Sequence, residues 1–231
     1  MTKLIFQPTL SLFINNAYRE HSFVSAFIYG AQGVGKTTYG LKTLYYVYGS
    51  WKEALDNTYF YIDDLLPRLR EAFDRGERIK AILLDDAGVW LVKYYWRRDF
   101  SIWFSKFFNL MRTIISGIIF TSVEVTDIIK FVRDKVMYRV HVMRTSENSS
   151  EAIGYRVRTS PLLEQYVERI FEDKFTLSLP DNVRREYETK RRQAITTLFQ
   201  ELEKSSSKQL PIEERESYER EFEELVKSFQ A

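Results

Sequence analysis

One glycine-rich segment constrains the fold of this chain more than any other. Residues 30–37 read GAQGVGKT, which fits the pattern G-x-x-x-x-G-K-[ST]. The apolar run FVSAFIY precedes it and KTTYGLKTLYYVYG follows, so the sequence predicts a strand over 23–29, a loop, and a helix ending near Gly49. A strand, a phosphate-binding loop and a helix in this order are the context that the motif requires. A plain glycine-rich turn is the alternative, and the flanking elements argue against it.

Each fixed position of the motif has a chemical reason. Gly33 and Gly35 let backbone N–H groups point into a concave anion nest. Lys36 reaches the β- and γ-phosphates of a nucleotide, and the Thr37 hydroxyl is a ligand for Mg²⁺. The positive end of the following helix faces the same phosphates. The predicted nucleotide-binding residues are Gly30, Ala31, Gln32, Gly33, Val34, Gly35, Lys36, Thr37 and Thr38.

A second segment, which is acidic, helps to distinguish between the classes of protein that contain such a loop. Residues 81–86 read AILLDD, which predicts a core strand with two aspartates at its tip. Asp85 is the predicted metal residue with Thr37, because a carboxylate there can hold the water shell of Mg²⁺. Asp86 is the predicted catalytic residue that polarises a water for attack on the γ-phosphate. The alternative is a pair of acidic residues capping a turn before Gly88.

Further candidates follow the next predicted strand, GIIFTSV at 117–123. Thr121 and Ser122 stand where motor ATPases place a polar residue that senses the γ-phosphate; each is alternatively a satisfied hydroxyl at a strand end. The chain has no Asn/Thr-Lys-x-Asp guanine-reading motif at a strand end, which argues against a GTPase. We therefore expect ATP and Mg²⁺ as cofactors and a Mg-dependent ATPase activity.

The order of predicted elements indicates an α/β fold. Strands at 57–64, 78–88, 117–123 and 135–144 alternate with helices at 64–76, 97–112 and 124–134, which implies a parallel sheet covered on both faces. Residues 136–159 predict a hairpin at one sheet edge. Helices are predicted over 160–173, 179–204 and 211–229. The expected organisation is a core over 1–160, a helical lid-like region over 161–204, and a linker with a C-terminal amphipathic helix over 205–231.

Composition excludes several classes of protein. The 231 residues carry a net charge of +2 and no cysteine, which excludes a disulfide framework and a cysteine zinc site and leaves only local basic patches for nucleic acid. No apolar run is long enough for a membrane span and no signal peptide is recognisable. A cytoplasmic protein, either cellular or virus- or plasmid-encoded, is expected.

Five segments together resemble AAA+ ATPases of the DnaA and DnaC/IstB type, which include replication initiators and helicase loaders. They are GAQGVGKTT, YFYIDDLLPRLREAFDRG, AILLDDAGVW, MRTIISGIIFTSV and FVRDKVMYRVHV. The segments also resemble those of small ATPases that archaeal viruses and plasmids encode. The resemblance covers roughly residues 24–145 and implies a five-stranded core of order 5-1-4-3-2. It also implies ATP bound between subunits of a homo-oligomer, with an arginine finger at the position of Arg133. Val123 stands where the family pattern has its sensor asparagine.

Two basic segments are candidates for nucleic-acid contact. Stacked aromatic side chains beside arginines grip single strands without regard to sequence, and basic helices meet phosphate backbone. The first candidate segment is Lys93, Tyr94, Tyr95, Trp96, Arg97 and Arg98; the second is Arg184, Arg185, Lys190, Arg191 and Arg192. The second segment is alternatively a solvated helix face, since glutamates interleave it.

Three functions fit these observations. The first is an AAA+-like ATPase that acts on a nucleic-acid complex, as an initiator or helicase loader does, with a helicase or initiator as protein partner. The second is a DNA translocase or packaging motor of the FtsK/HerA or zonula-occludens-toxin-like type. The third is a nucleotide-dependent switch that recruits a protein partner.

Overall fold

The computed structural model of the chain describes residues 6–87, 100–123, 135–160 and 165–207. The chain divides into two compact units, Met1–Glu188 and Thr189–Ala231. The helix predicted over 124–134 and the one predicted over 211–229 lie outside the described residues. The domain limits expected at 160 and 204 stay predictions.

The elements alternate between helices and strands through most of the first unit. The first half contains α1 (Thr9–Arg19), β1 (Val24–Tyr29), α2 (Lys36–Tyr48), α3 (Trp51–Asp56), β2 (Thr58–Tyr59), α4 (Ile62–Asp74) and β3 (Ile79–Leu84). The second half contains α5 (Phe100–Ile114), β4 (Ile115–Ser122), β5 (Tyr138–Ser146), β6 (Ser149–Thr159), β7 (Gln165–Thr176) and α6 (Asp181–Ser207), the last of which continues beyond residue 188.

The strands form a mixed sheet in the order β2-β3-β4-β1-β5-β6-β7. The strands from β2 to β5 pair in parallel, whereas β6 and β7 pair antiparallel. The predicted sheet of five strands in the order 5-1-4-3-2 is therefore wrong in its count and in its complete order. The five-strand order is found inside the larger sheet, and β6 and β7 extend it beyond β5. The predicted β5–β6 hairpin forms, but it is not at the edge, because β7 covers β6.

The helix predicted over 160–173 is wrong: residues 165–176 form strand β7. Its apolar residues satisfy a helical spacing, but Phe171, Asp173 and Phe175 also lie two apart, on the inward face of a strand, with Glu172 and Lys174 exposed between them. Long-range pairing decides the outcome. Phe171 is the register partner of Gly154 on β6, and its ring lies where a Cβ of residue 154 would stand. The aromatic ring thus fills the space that the glycine leaves.

The second predicted strand is much shorter than expected, because α4 begins at Ile62. Asp63 and Asp64 lie in the first turn of α4, where the helix dipole favours negative charge. Pro67 lies inside the helix, so α4 forms despite the intrahelical N–H that proline lacks. The pattern at 57–64 therefore belongs mostly to a helix start.

The core lies around the centre of the sheet. Every residue of β4 is buried, and β1 is buried except at its last residue, as expected for parallel strands packed on both faces. Helices α1 and α2 pack against one face of the sheet; the sequence analysis did not predict α1 or α3. The carboxyl ends of β1, β3 and β4 consequently lie side by side, and the candidate site forms there. Among the described residues, no helix combines the length and apolar character that a membrane crossing requires.

Candidate nucleotide-binding site

The glycine-rich loop joins the end of β1 to the start of α2. Gly30, Gly33 and Gly35 have φ angles of +146°, +74° and +98°, in a region that L side chains rarely adopt. These angles explain why the loop requires glycine at the three positions. The loop is also tied to the sheet, because the N–H of Gly30 donates to the carbonyl of Val123 just after β4, at 3.1 Å.

Lys36 begins α2 and lies over the loop that precedes it. Its Nζ donates to the carbonyl oxygens of Gly30 and Ala31, at 2.8 and 2.9 Å, and the residue is only 8% exposed. These contacts hold the ammonium group within the curve of the loop. A cation at this position complements an anion bound to the loop N–H groups.

Thr37 and Asp85 meet at the centre of the site. Asp85 follows directly after β3 and is fully buried, and the Thr37 hydroxyl donates to both of its carboxylate oxygens at 3.1 Å. Burial, and then the neighbouring charge of Asp86, raise the pKa of Asp85. Hydrogen bonds from Thr121, Tyr187 and Thr37 act in the opposite direction. Three hydroxyl donors therefore surround one buried carboxylate.

Thr121 links the two aspartates at the end of β3. Its hydroxyl donates to Oδ1 of Asp85 at 2.5 Å and accepts a hydrogen bond from the backbone N–H of Asp86 at 2.9 Å. Asp86 has a φ angle of +50°, which is uncommon outside glycine and tolerated by aspartate. Ser122 is buried at the end of β4. The structure thus brings four predicted residues, Asp85, Asp86, Thr121 and Ser122, to one edge of the sheet.

The β5–β6 hairpin supports the loop, a contact that the sequence analysis did not predict. Arg144 donates from Nη1 to the carbonyl of Gly33 at 2.9 Å, and Ser150 Oγ donates to the carbonyl of Val34 at 2.7 Å. Leu177, just after β7, approaches Gly35 so closely that a Cβ there would lie 2.2 Å from its Cδ2. The conformation of the loop therefore depends on residues more than a hundred positions away in sequence.

Tyr187 is a further residue of the site that the sequence did not reveal. It lies on α6, and its hydroxyl donates to Oδ2 of Asp85 at 2.5 Å. The sequence offered a signal, because Val183 and Tyr187 are apolar residues four apart in a charged segment, and both are buried. The sequence predicts a helix here, with basic residues that are candidates for nucleic-acid contact, but it assigns no role to Tyr187.

Other predicted residues lie either outside the described part of the chain or on exposed surface. Arg133 and the segment Lys93–Arg98 lie outside the described residues. Arg184 and Arg185 are exposed at the start of α6 in the first unit. Arg191 and Arg192 are exposed in the described part of the second unit.

The residues present fit a nucleotide phosphate with Mg²⁺. Mg²⁺ binds through one or two protein oxygen ligands together with substrate phosphates, and the Thr37 hydroxyl and Asp85 carboxylate supply such oxygens beside the loop. The glycine φ angles shape the loop, and the N-terminus of α2 follows it. In this chain the loop joins β1 to α2, and the acidic residues follow β3 of the same sheet. This arrangement defines a P-loop α/β protein.

Sequence comparison finds relatives of the chain in two viruses. It is 34% identical over 207 residues to the uncharacterized protein B-251 of Sulfolobus spindle-shape virus 1, covering 82% of each chain. The chain therefore belongs to the same family as B-251. It is also 26% identical over 160 residues to the uncharacterized protein ORF286 of Acidianus two-tailed virus, covering 68% of this chain and 56% of that relative. No protein-family model matches the chain.

Solved structures with some similarity include two proteins named by class in the sequence analysis. One is the N-terminal domain of zonular occludens toxin from Neisseria meningitidis, at 11% identity and a TM-score of 0.40, covering 70% of this chain and 97% of that one. The other is the DnaC helicase loader, at 22% identity and a TM-score of 0.32, covering 50% of this chain and 67% of that one. The class stated above rests on the loop and sheet of this chain.

Proposed function

We propose that this protein binds ATP with Mg²⁺ at the glycine-rich loop, hydrolyses it, and acts on a nucleic-acid complex in the manner of an initiator or helicase loader. The observation that supports the first part most directly is the contact between Thr37 and Asp85. A hydroxyl at the start of α2 and a buried carboxylate after β3 lie 3.1 Å apart, next to a lysine held over the loop. This combination suits a Mg²⁺-bound phosphate chain.

The residues have separate roles in the proposed reaction. Loop N–H groups and Lys36 bind the phosphates, and Thr37 with Asp85 positions Mg²⁺, which supplies neutralisation of charge on the phosphoryl oxygens. Asp86 orients and polarises the attacking water. Thr121 fixes the backbone of Asp86 relative to Asp85 through its two hydrogen bonds.

Nucleotide binding is tested by replacing Lys36. In Lys36→Ala, the charge-assisted hydrogen bonds to phosphate are lost. Such bonds contribute about 1.5–3 kcal/mol to the binding free energy, so ATP binding should weaken roughly 10- to 100-fold. Binding is measured with a fluorescent ATP analogue by titration. Lys52→Ala is the matched control, because Lys52 is 80% exposed on α3 and pairs with Asp56. If Lys36→Ala and Lys52→Ala bind ATP equally well, the proposed site is wrong.

Hydrolysis is tested by Asp86→Asn. The amide keeps the size of the side chain and removes the base, so we expect binding to persist and turnover to fall about 10²- to 10⁴-fold. Phosphate release measures turnover. Full turnover in Asp86→Asn would contradict the role of Asp86. ATP binding without any turnover in the wild type would favour the nucleotide-dependent switch instead.

Assembly is tested through Arg133, for which the family resemblance implies a finger acting on a neighbouring subunit. An arginine supplied in trans raises phosphoryl-transfer rates roughly 10³- to 10⁵-fold. Arg133→Ala and Lys36→Ala proteins, each inactive alone, should regain activity when mixed, because mixed interfaces pair an intact loop with an intact finger. Light scattering with an ATP analogue reports the accompanying oligomer. If Arg133→Ala alone keeps full turnover, the finger is not Arg133.

Nucleic-acid contact is proposed through the segment Lys93–Arg98 and the basic residues of α6. Such contact predicts binding that weakens with salt and tolerates any sequence. We expect Arg184→Glu with Arg185→Glu to weaken binding to single-stranded DNA. A double change of Arg70 and Arg75 to Glu is the control, because these α4 residues are exposed and give the same charge change elsewhere. Equal affinities for the two double variants would contradict a contribution from the α6 arginines.

A further inference from the structure

The first turns of α6 belong to the first unit and contribute two buried side chains to it. Val183 and Tyr187 are buried, whereas Arg184, Arg185 and Glu186 between them are exposed. The ring of Tyr187 packs at a tilt against Phe60, with 5.8 Å between ring centroids. The attachment therefore has an apolar part, from Val183 and the tyrosine ring, and a polar part, from the tyrosine hydroxyl.

The polar part is directed at the candidate metal residue. The Tyr187 hydroxyl donates to Oδ2 of Asp85. The Thr37 hydroxyl also lies within hydrogen-bonding reach of the Tyr187 hydroxyl. A phenol hydroxyl carries its proton at neutral pH, so Tyr187 is the hydrogen-bond donor to this carboxylate.

The acceptor positions of Asp85 are limited. An ionised carboxylate offers about four lone-pair positions. The Thr37 hydroxyl contacts both oxygens, Thr121 donates to Oδ1, and Tyr187 donates to Oδ2. A water held by Mg²⁺ donates to the same carboxylate, and it must share or take one of these positions.

The three donors differ in how readily they are replaced. Thr37 is itself the proposed ligand of the cation. Thr121 is also held by the N–H of Asp86, inside the sheet. Tyr187 comes from α6, which is neither a strand of the sheet nor the helix that follows the glycine-rich loop, so its movement disrupts no strand pairing.

We propose that the Tyr187 hydroxyl and a Mg²⁺-bound water compete for Oδ2 of Asp85, so that binding of Mg·nucleotide loosens the first turns of α6. This inference rests on the proposed function for the identity of the ligand. It assigns α6 a role beyond packing, since occupancy of the site alters the attachment of its first residues. Tyr187 is thus a positioning residue for Asp85 and a link between the site and α6.

The test separates the hydroxyl from the ring. Tyr187→Phe keeps the packing against Phe60 and Val183 and removes only the hydrogen bond to Asp85. Tyr48→Phe is the control, because the partly buried Tyr48 hydroxyl donates to the Ala81 carbonyl at 2.6 Å and accepts from the Ala81 N–H at 3.1 Å. Both variants lose a hydroxyl that is hydrogen-bonded inside the protein, but only Tyr187→Phe changes a contact of Asp85.

Two measurements use the full chain and a non-hydrolysable ATP analogue. In the wild type, the analogue with Mg²⁺ should accelerate amide hydrogen exchange at residues 184–188, and the analogue with EDTA should not. In Tyr187→Phe, exchange there should already be fast and unresponsive to Mg²⁺. The Mg²⁺ concentration that half-saturates analogue binding should fall about tenfold in Tyr187→Phe and stay unchanged in Tyr48→Phe.

The outcomes separate this inference from the proposed function. If the analogue binds with Mg²⁺ but exchange at 184–188 is unchanged or slower, the coupling is wrong and the nucleotide site stands. The same conclusion follows if Tyr187→Phe needs as much Mg²⁺ as the wild type, or more. If the wild type binds no nucleotide at all, both the proposed function and the coupling are overturned.

Discussion

The hydroxyl of Thr121 donates a 2.5 Å hydrogen bond to Oδ1 of Asp85, and both residues are fully buried. The same hydroxyl accepts the N–H of Asp86. One side chain on β4 therefore contacts both acidic residues at the end of β3, so its hydroxyl contributes to the relative position of the proposed metal residue and the proposed base.

Thr121→Val should destabilise the protein, because it keeps the shape of the side chain and removes both hydrogen bonds. We expect a loss of about 1–3 kcal/mol in the free energy of unfolding, measured by urea denaturation at neutral pH. Thr121→Ser keeps the hydroxyl and should retain more turnover than Thr121→Val. Equal stability and turnover of the two variants would show that the hydroxyl positions nothing.

The raised pKa of Asp85 predicts a pH dependence of stability. Burial, followed by the charge of Asp86, raises the pKa above its usual value near 3.8, so the folded state binds this proton more tightly than the unfolded state does. The stabilisation is fully present below about 3.8 and is lost as the pH rises through the folded-state pKa. Asp85→Asn does not titrate there. The free energy of unfolding of the wild type relative to Asp85→Asn should therefore fall as the pH increases; a constant difference would contradict the raised pKa.

Asp173 is expected to contribute strongly to stability, because it joins three elements. Its buried carboxylate accepts from the Thr9 backbone N–H at 2.7 Å, the Thr9 hydroxyl at 2.6 Å and the Tyr39 hydroxyl at 2.7 Å. Hydrogen bonds to charged groups contribute about 1.5–3 kcal/mol each, so Asp173→Ala should cost about 3 kcal/mol or more. Tyr39→Phe, which removes one of the three, should cost less.

The neighbouring Glu172 provides the control for Asp173. Its side chain is partly exposed and pairs with Arg169 and Lys174 on the surface, so Glu172→Ala should cost about 0–1 kcal/mol. Chemical denaturation of the three variants would establish the order. If Asp173→Ala is no less stable than Glu172→Ala, the hydrogen bonds of Asp173 to Thr9 and Tyr39 contribute little to the free energy of unfolding.

Gly35→Ala should weaken both stability and nucleotide binding. A methyl group there would be strained at a φ of +98° and would lie 2.2 Å from Leu177 Cδ2. Gly49→Ala shares the strain, at a φ of +76°, but meets nothing within 4 Å. It should cost about 1–2 kcal/mol and leave ATP binding unchanged. Thermal unfolding and ATP titration distinguish the two, and equal ATP affinity would show that Leu177 yields without moving the loop.

The sequence predicted those parts of the fold that have strong local signals. The strand, loop and helix around residues 24–48 follow from the glycine spacing and the apolar run, and the β5–β6 hairpin follows from its turn residues. Strand β7 could not be distinguished from a helix by local spacing. The alternation of Phe171, Asp173 and Phe175 indicates a strand only once their partners are known, because Phe171 pairs with Gly154 and Asp173 accepts from the first residue of α1.

The candidate site divides in the same way. Lys36, Thr37 and Asp85 were predicted because their motifs have fixed spacing, and the structure brings them together. Arg144, Leu177 and Tyr187 were not assigned to the site, because each reaches it through pairing or packing between distant segments. Such contacts leave no motif in the sequence. The roles assigned to Lys36, Thr37 and Asp85, and those assigned to Asp86, Thr121, Ser122 and Arg133, stay predictions.

The attachment of β7 and α6 to the glycine-rich loop has a consequence for synthesis on the ribosome. The loop emerges early, but Leu177 and Tyr187, which contact Gly35 and Asp85, are translated much later. Because chains begin to fold from the N-terminus as they are made, the nascent loop lacks these partners until more than a hundred further residues have been translated. A product terminated before Thr176 would therefore contain every residue of the motif and still lack the contacts that hold its site together.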